Sequence, residues 1–266
     1  MSTLAFSLPT KRLVSADLLK LRRRRGLVVV TSLLTIGAMA ITYGVIELLH
    51  VINAAKHGPA GGIDNLGHGA FVASALGAVA AAIVGSAAGA GDLDAGVYRD
   101  LVVTGRSRVA LYLSRIPAGL LFLLSFVSAG YALAAVSSVV FADSRALPSV
   151  HLLVTTGLWV VLQVAFYYLL AVALSCILGS RSYTIGVLLA WRLALTPLLA
   201  SISALGIVRE LVPGVALENL TPIGLGDTAR QGPHVGMSVA AVALVLVAWT
   251  LVAQLIGSWR DTHRDA

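Results

Sequence analysis

Six long apolar segments, separated by shorter polar stretches, dominate the chain. They cover residues 27–51, 69–90, 109–141, 150–178, 183–205 and 236–258. Each segment reaches the ~20 residues that a helix needs to cross the ~30 Å hydrocarbon core of a bilayer. Backbone polar groups cannot stay unpaired in lipid, so such segments must form helices rather than open strands. The pattern therefore predicts an all-α integral membrane protein with about six transmembrane helices.

The composition supports this fold class. Of the 266 residues, 58% are hydrophobic and 12% are charged, and the mean hydropathy is +0.91. A soluble domain carries about 25% charged residues, because its surface must satisfy water. The net charge of +7 does not favour nucleic-acid binding, because no folded domain remains outside the helices to present a basic face.

Basic residues are unevenly divided between the two sides of the predicted bundle. One side carries a basic cluster before the first apolar segment, together with Arg99, Arg106, Arg108, Arg115, Arg181, Arg260 and Arg264. The other side carries Lys56, Arg145, Arg209 and Arg230. Lysine and arginine are enriched on the cytoplasmic side of membrane proteins. We therefore expect both termini to be cytoplasmic and the loops at 52–68, 142–149 and 206–235 to lie outside.

The chain lacks the sequence motifs of an enzyme. Its three lysines, Lys11, Lys20 and Lys56, do not occur in a phosphate-binding G-x-x-x-x-G-K-[ST] loop. Any ATP hydrolysis must come from another polypeptide. Neither H-E-x-x-H nor G-x-S-x-G is present, so we predict no catalytic residue and no cofactor on this chain.

Three histidines lie in or beside one predicted outer loop: His50, His57 and His68. They could bind a metal ion, but solvated loop histidines are the interpretation that we favour, and we predict no metal site.

The most informative polar segment is the loop at 91–108, on the predicted cytoplasmic side. Two aspartates open it, where negative charge favours a helix N-terminus. Val97 and Leu101 are four positions apart and share one face of a short helix. Ser107 can then cap the third apolar segment. The pattern predicts a short surface helix that can dock into a groove of a soluble partner; an ordinary charged loop is the alternative.

Residues 91–115 resemble the corresponding part of ABC-2 type permeases. Those proteins carry an acidic turn, a Gly-Thr pair, two apolar residues, Pro-x-Ser-Arg and a basic residue about seven positions on. The matching positions here are Asp92, Asp94, Gly96, Val97, Leu101, Val102, Arg106, Ser107, Arg108 and Arg115. The chain departs from the pattern with Asp for Glu, Val97 for Thr and Gly105 for Pro. The resemblance implies that Asp92, Asp94, Gly96, Val97, Leu101, Arg106 and Arg108 couple the chain to an ATPase.

Two further segments fit the same family. Residues 10–25 carry an apolar stripe at Val14, Leu18 and Leu21 among basic residues, which predicts an interfacial amphipathic helix. Family permeases begin with an elbow helix at this place; a basic flank of the first span is the alternative. The 206–235 segment is too apolar for a free loop and too broken to span the membrane. Family members have short re-entrant or interfacial helices there.

One charge falls deep inside a predicted span. Arg192 lies 11 positions beyond Arg181, or about 16 Å along a helix at 1.5 Å per residue. A charge at that depth is costly and normally faces a bundle interior or an aqueous cavity. We expect Arg192 to line a translocation path or a dimer interface, with Gln163 as a candidate partner. A structural role, in which Arg192 pairs with backbone carbonyls, fits the same depth equally well.

The resemblance implies that residues 1–266 form one six-helix permease domain of an ABC-type exporter. A second permease copy or a sister chain would complete the pathway in a bacterial cytoplasmic membrane. Two separate ATPase subunits, with ATP and Mg²⁺, would drive a hydrophobic or amphipathic drug, lipid or peptide outward.

Two other classes stay open. An ion-coupled secondary transporter is less favoured, because no acidic residue falls in the middle of a predicted span. A membrane-embedded enzyme or assembly factor would depend on His57, Asp64 and His68, whose spacing is not diagnostic.

Overall fold

Six helices are long and apolar enough to cross a membrane. The structure, a computed structural model, describes residues 11–96, 107–229 and 235–263. The six membrane-length helices in these ranges are α2 (Arg25–Ile52), α3 (Ile63–Gly89), α4 (Arg108–Val140), α5 (Val150–Leu178), α6 (Arg181–Ser201) and α8 (Val239–Thr262). Two shorter helices are α1 (Lys11–Arg23) and α7 (Pro213–Asn219). The described residues contain no strand, so the predicted all-α membrane class with six spans is confirmed at this level.

The helix ends differ from the apolar segments for local reasons. Helix α3 begins at Ile63, six residues before the predicted start, because its first two turns carry polar side chains. Ser107 accepts a hydrogen bond from the Ala110 amide at 3.1 Å and is the predicted cap of α4. Helix α6 ends at Ser201 rather than at 205, because Ile202 adopts an extended backbone conformation.

Helices α3 and α5 pack against each other at the centre of the bundle, and glycines of α3 allow their close approach. A Cβ atom at Gly85 would lie 2.5 Å from Ala171 Cβ and 2.9 Å from the Tyr168 carbonyl oxygen. A Cβ atom at Gly89 would overlap the hydroxyl of Ser175. Small residues let helix backbones approach closely in lipid, where packing rather than water drives association.

The outer helices surround this centre. Helix α1 packs against α4, and Leu21 of its apolar stripe is buried. Helices α2 and α6 are each interrupted by a π-helical turn, at Leu33–Gly37 and Trp191–Leu195. Such turns are frequent at functional sites.

The bundle has two different ends. At the end that we call the polar end, α1 meets the start of α4 and the turn that follows α3, and the start of α4 meets the end of α8. At the opposite end, the amide of Gly61 donates to the Phe141 carbonyl at 2.7 Å and that of Ile63 to the Ala146 carbonyl at 3.1 Å. The connection between α6 and α8 begins beside this end and returns into the bundle, where the indole nitrogen of Trp249 donates to the Leu211 carbonyl at 2.9 Å.

Candidate functional sites

A buried ion pair network joins the loop at 91–108 to the helices at the polar end. Helix α3 is followed by a single helical turn, Gly91–Asp94. The buried carboxylate of Asp92 lies 2.6 Å from Lys20 Nζ of α1 and 3.8 Å from Arg115 Nη2 of α4. Charges at such a site must be paired, because desolvation costs several kcal/mol per ion. The pairs fix the start of the loop against two helices.

Arg115 is the centre of this network. Its side chain is 4% exposed, and Nη1 lies 3.5 Å from the carboxylate of Asp261, which is 1% exposed, in α8. The same nitrogen donates to the Gly89 carbonyl of α3 at 3.1 Å. Arginine suits this place because its planar group donates in several directions and stays charged. Through one side chain, α3, α4 and α8 are connected to the turn at Asp92.

Other polar contacts strengthen the same end. Ser114 donates to the Asp17 carboxylate of α1 at 2.6 Å, and Arg181 donates to the Gly91 carbonyl at 3.1 Å. Arg108 donates to the Thr262 carbonyl at 3.0 Å, where a cation also favours the C-terminal end of the α8 dipole. The amphipathic helix and the loop are therefore both attached to the membrane helices.

The residues predicted to couple the chain to an ATPase fall into three groups. Asp92 and Arg108 contact other helices of this chain. Gly96 has a positive φ of 69° and lies where the helical turn ends. Val97, Leu101 and Arg106 lie outside the described residues, as does the side chain of Asp94. The predicted helix across this loop therefore stays a prediction beyond its first turn.

Sequence reasoning missed Asp261 and the role of Lys20. The signal for Asp261 was present, because an acidic residue in the last turn of a helix opposes the helix dipole and requires a nearby cation. Lys20 was interpreted only as part of a basic flank. The pairing of cations with acids depends on how α1, α4 and α8 pack. A hydropathy pattern does not give the packing of helices.

A second buried ion pair lies inside the bundle. Arg192, 3% exposed, belongs to the π-helical turn of α6. Its Nη1 lies 3.6 Å from Glu218 Oε1 of α7, and its guanidinium lies 5.7 Å from the centre of the Tyr167 ring. The pair neutralises both charges, and the aromatic face adds a favourable cation–π contact.

Helix α7 brings Glu218 to this depth. The indole nitrogen of Trp159 donates to the Leu217 carbonyl at 3.0 Å, and Trp159 lies nine residues beyond Val150, the first residue of α5. At 1.5 Å per residue this is about 14 Å from the start of that helix. A Cβ atom at Gly214 would overlap Thr196 of α6, so this glycine lets α7 pack tightly against α6.

The predicted pairing of Arg192 with Gln163 is not the pairing that the structure shows. Gln163 is buried in α5, and its Nε2 has no hydrogen-bond partner among the described residues. The carboxylate partner of Arg192 is Glu218, which lies outside the six apolar segments. The Arg192 side chain is buried within one copy of the chain, and its place on a translocation path or at a dimer interface stays a prediction.

The histidines of the opposite end face backbone oxygens. His50 Nδ1 lies 2.6 Å from the His57 carbonyl, and His68 Nδ1 lies 2.9 Å from the Asp64 carbonyl. Among the residues that the structure describes, no group of three histidine, cysteine or acidic side chains could hold a metal ion.

An apolar groove of about 270 Å³ lies between α5, α6 and α8. Trp191 and Trp249 border it, with ring centres 5.8 Å apart, and Pro213 of α7 also lines it. The remaining wall consists of aliphatic side chains, so the groove suits a hydrophobic molecule or an acyl chain.

Comparison with known proteins finds no family profile that matches this chain, and no curated protein with significant similarity.

Proposed function

We propose that this chain is the membrane subunit of an ABC-type exporter of the ABC-2 kind. The observation that carries the proposal is the buried network of Lys20, Asp92, Arg115 and Asp261. It joins the loop that resembles an ATPase-coupling segment to α1, α4 and α8. A segment attached in this way can pass a displacement to several membrane helices at once.

The mechanism is a population shift. An ATPase bound to the 91–108 loop would prefer one position of that loop when it holds ATP and Mg²⁺. Arg115 and Asp261 would move with Asp92, so that α4 and α8 follow. ATP binding can change the membrane conformation only through such a difference in contacts between the two states. α1 would act as the elbow helix and α7 as the re-entrant element.

The substrate class that we propose is hydrophobic or amphipathic: a drug, a lipid or a peptide. The apolar groove beside Trp191 and Trp249 supports this choice. Two six-helix units, identical or paired with a sister chain, would form the pathway in a bacterial cytoplasmic membrane. Two ATPase subunits would bind at the polar end, which would then be the cytoplasmic end.

Purification of the tagged chain from its native membrane in mild detergent tests the proposal. We expect mass spectrometry to find a stoichiometric ATPase with a Walker A lysine. Leu101→Asp should weaken this association, because it removes the apolar strip of the loop, whereas Leu147→Asp at the opposite end serves as the matched control. A chain that emerges alone after gentle crosslinking would contradict the proposal.

A second candidate, an ion-coupled secondary transporter, gains one specific observation. No acidic residue falls in the middle of a predicted span, yet Glu218 of α7 lies 3.6 Å from Arg192 at membrane depth. Acidic residues at such depth mark ion pathways in transporters. Proteoliposomes that contain only this chain distinguish the two. If the chain is an ion-coupled transporter, a pH gradient should drive transport into these proteoliposomes, and Glu218→Gln should abolish it. If the chain is an exporter subunit, no transport should occur without an ATPase.

A further inference from the structure

We propose that a cavity at the opposite end of the bundle binds the phosphate headgroup of an anionic phospholipid. The cavity has a volume of about 490 Å³ and lies between α2, α3 and the 141–149 loop. Its polar wall carries Lys56, His57, His68 and Arg145. Four nitrogen-bearing side chains thus surround one space, at the end where the membrane helices meet water.

The position of Arg145 is set by the fold. The segment before α3 is joined to the last turn of α4 by a backbone hydrogen bond of 2.8 Å from the Gly62 amide to the Ser138 carbonyl. A Cβ atom at Gly58 would overlap the guanidinium of Arg145, and one at Gly62 would lie 2.8 Å from Arg145 Cβ. Gly62, with a φ of 92°, leaves room for the base of the Arg145 side chain, and the guanidinium lies against Gly58 beside the cavity.

The charge of this wall comes from Lys56 and Arg145. Within the described part of the chain, no carboxylate lies within 4.0 Å of the charged nitrogens of Lys56 or Arg145. Glu47, at the end of α2, instead accepts a hydrogen bond from the Ala60 amide at 3.1 Å. Two like charges beside one cavity favour an anion, and arginine matches phosphate with two parallel hydrogen bonds.

The other wall distinguishes a lipid from a free phosphate ion. Ile46, Leu49 and Val72 line it, and Val45 and Leu48 of α2 are exposed on the outside of the bundle. An acyl chain can therefore run along α2 while the phosphodiester meets the basic wall at the interface. An inorganic phosphate would leave the apolar wall without a partner.

Binding of defined lipids to the purified full-length chain tests this site. Native mass spectrometry at low salt should find one tightly bound phosphatidylglycerol, and phosphatidylcholine should bind more weakly. Removing one charge, by Lys56→Gln or Arg145→Gln, should weaken phosphatidylglycerol binding about fivefold, since each basic residue near an anionic headgroup contributes about that factor. Arg145→Lys should retain part of the affinity, because lysine keeps the charge but loses the two parallel hydrogen bonds.

Arg209→Gln is the matched control, because it removes an arginine at the same end but outside the cavity. It should leave lipid affinity unchanged. Lys56 is exposed, so its variant keeps the test valid if Arg145→Gln does not fold. Equal phosphatidylglycerol affinity of Lys56→Gln and the native chain would overturn the proposal. Binding of phosphatidylcholine as tight as that of phosphatidylglycerol would also overturn it. Displacement of phosphatidylglycerol by millimolar inorganic phosphate would overturn it too, because it would indicate a site for free anions.

Discussion

At the scale of single residues, the buried charges of this chain occur in pairs. Arg115 lies between Asp92 and Asp261 at the polar end, and Arg192 lies beside Glu218 deeper in the bundle. Such pairs add little net stability over an apolar replacement, but removal of one partner leaves an uncompensated buried charge. Each pair therefore restricts which conformations the surrounding helices can adopt.

Arg115→Met should destabilise the protein by about 3–5 kcal/mol, because it removes the cation between two buried carboxylates. Thermal unfolding in a fixed detergent measures the effect. The double variant Arg115→Met/Asp261→Asn should lose less than the sum of the two single variants, as expected for residues in contact. Arg260→Met removes an exposed arginine of the same end and should change little. If the losses of stability in the two single variants simply add up in the double variant, Arg115 and Asp261 are not coupled.

The Arg192–Glu218 pair gives a similar prediction inside the membrane. Arg192→Met should destabilise the protein by about 3–5 kcal/mol, because it removes the guanidinium beside the Glu218 carboxylate at membrane depth. The double variant Arg192→Met/Glu218→Gln should regain part of the lost stability, again measured by thermal unfolding. Arg209→Met, a half-buried arginine of the α6–α7 connection, is the control. If the single variant melts at the native temperature, the pair has no structural role.

At the scale of elements, the six spans could be predicted to within a few residues. Each apolar segment is long, and polar or charged residues mark most of its ends. The first turns of α3 were missed because Asp64, Asn65 and His68 belong to the helix, whereas a hydropathy argument assigns polar residues to loops. A helix can begin with polar residues where it emerges from the lipid.

The partner of Arg192 could not be predicted in the same way. Glu218 is 26 positions further along the chain and belongs to a short helix, α7, in an irregular connection. Depth along a single helix can be estimated from sequence, since the rise per residue is fixed. The folding of α7 back between α5, α6 and α8 depends on tertiary contacts such as Trp159 with Leu217, which no local pattern records.

The contact between α3 and α5 can be tested by adding side chains. Gly85→Val should destabilise the bundle by at least about 1–3 kcal/mol, because its Cβ would overlap α5 and the helices must separate. Gly44→Val is the control, since no atom lies within 4 Å of a Cβ there. Thermal unfolding and gel filtration of both variants compare the effects. A Gly85→Val protein as stable as the Gly44→Val protein would contradict the packing described here.

At the scale of the whole molecule, the six described spans put the polar end and the opposite end on different sides of a membrane, and their even number puts the start of α2 and the end of α8 on the same side. The distribution of basic residues predicts that the polar end is cytoplasmic. Cys176, the single cysteine, is buried and donates to the Gly89 carbonyl at 3.6 Å, so the test replaces it with serine, which keeps a donor. In that background, Ser144→Cys should react with a membrane-impermeant maleimide on intact cells, and His263→Cys should react only after permeabilisation. The reverse pattern would place the termini outside.

The coupling proposal can be tested most directly with a photoreactive amino acid at the polar end. Ala95 is exposed and lies directly after the Gly91–Asp94 turn, so a photoreactive residue there would face a bound ATPase. The account predicts a crosslink from position 95 to a protein with a Walker A lysine, and no such crosslink from position 144 at the opposite end. Absence of an ATPase crosslink at 95, or equal crosslinks from both positions, would contradict the assignment of this chain as an ABC-type membrane subunit.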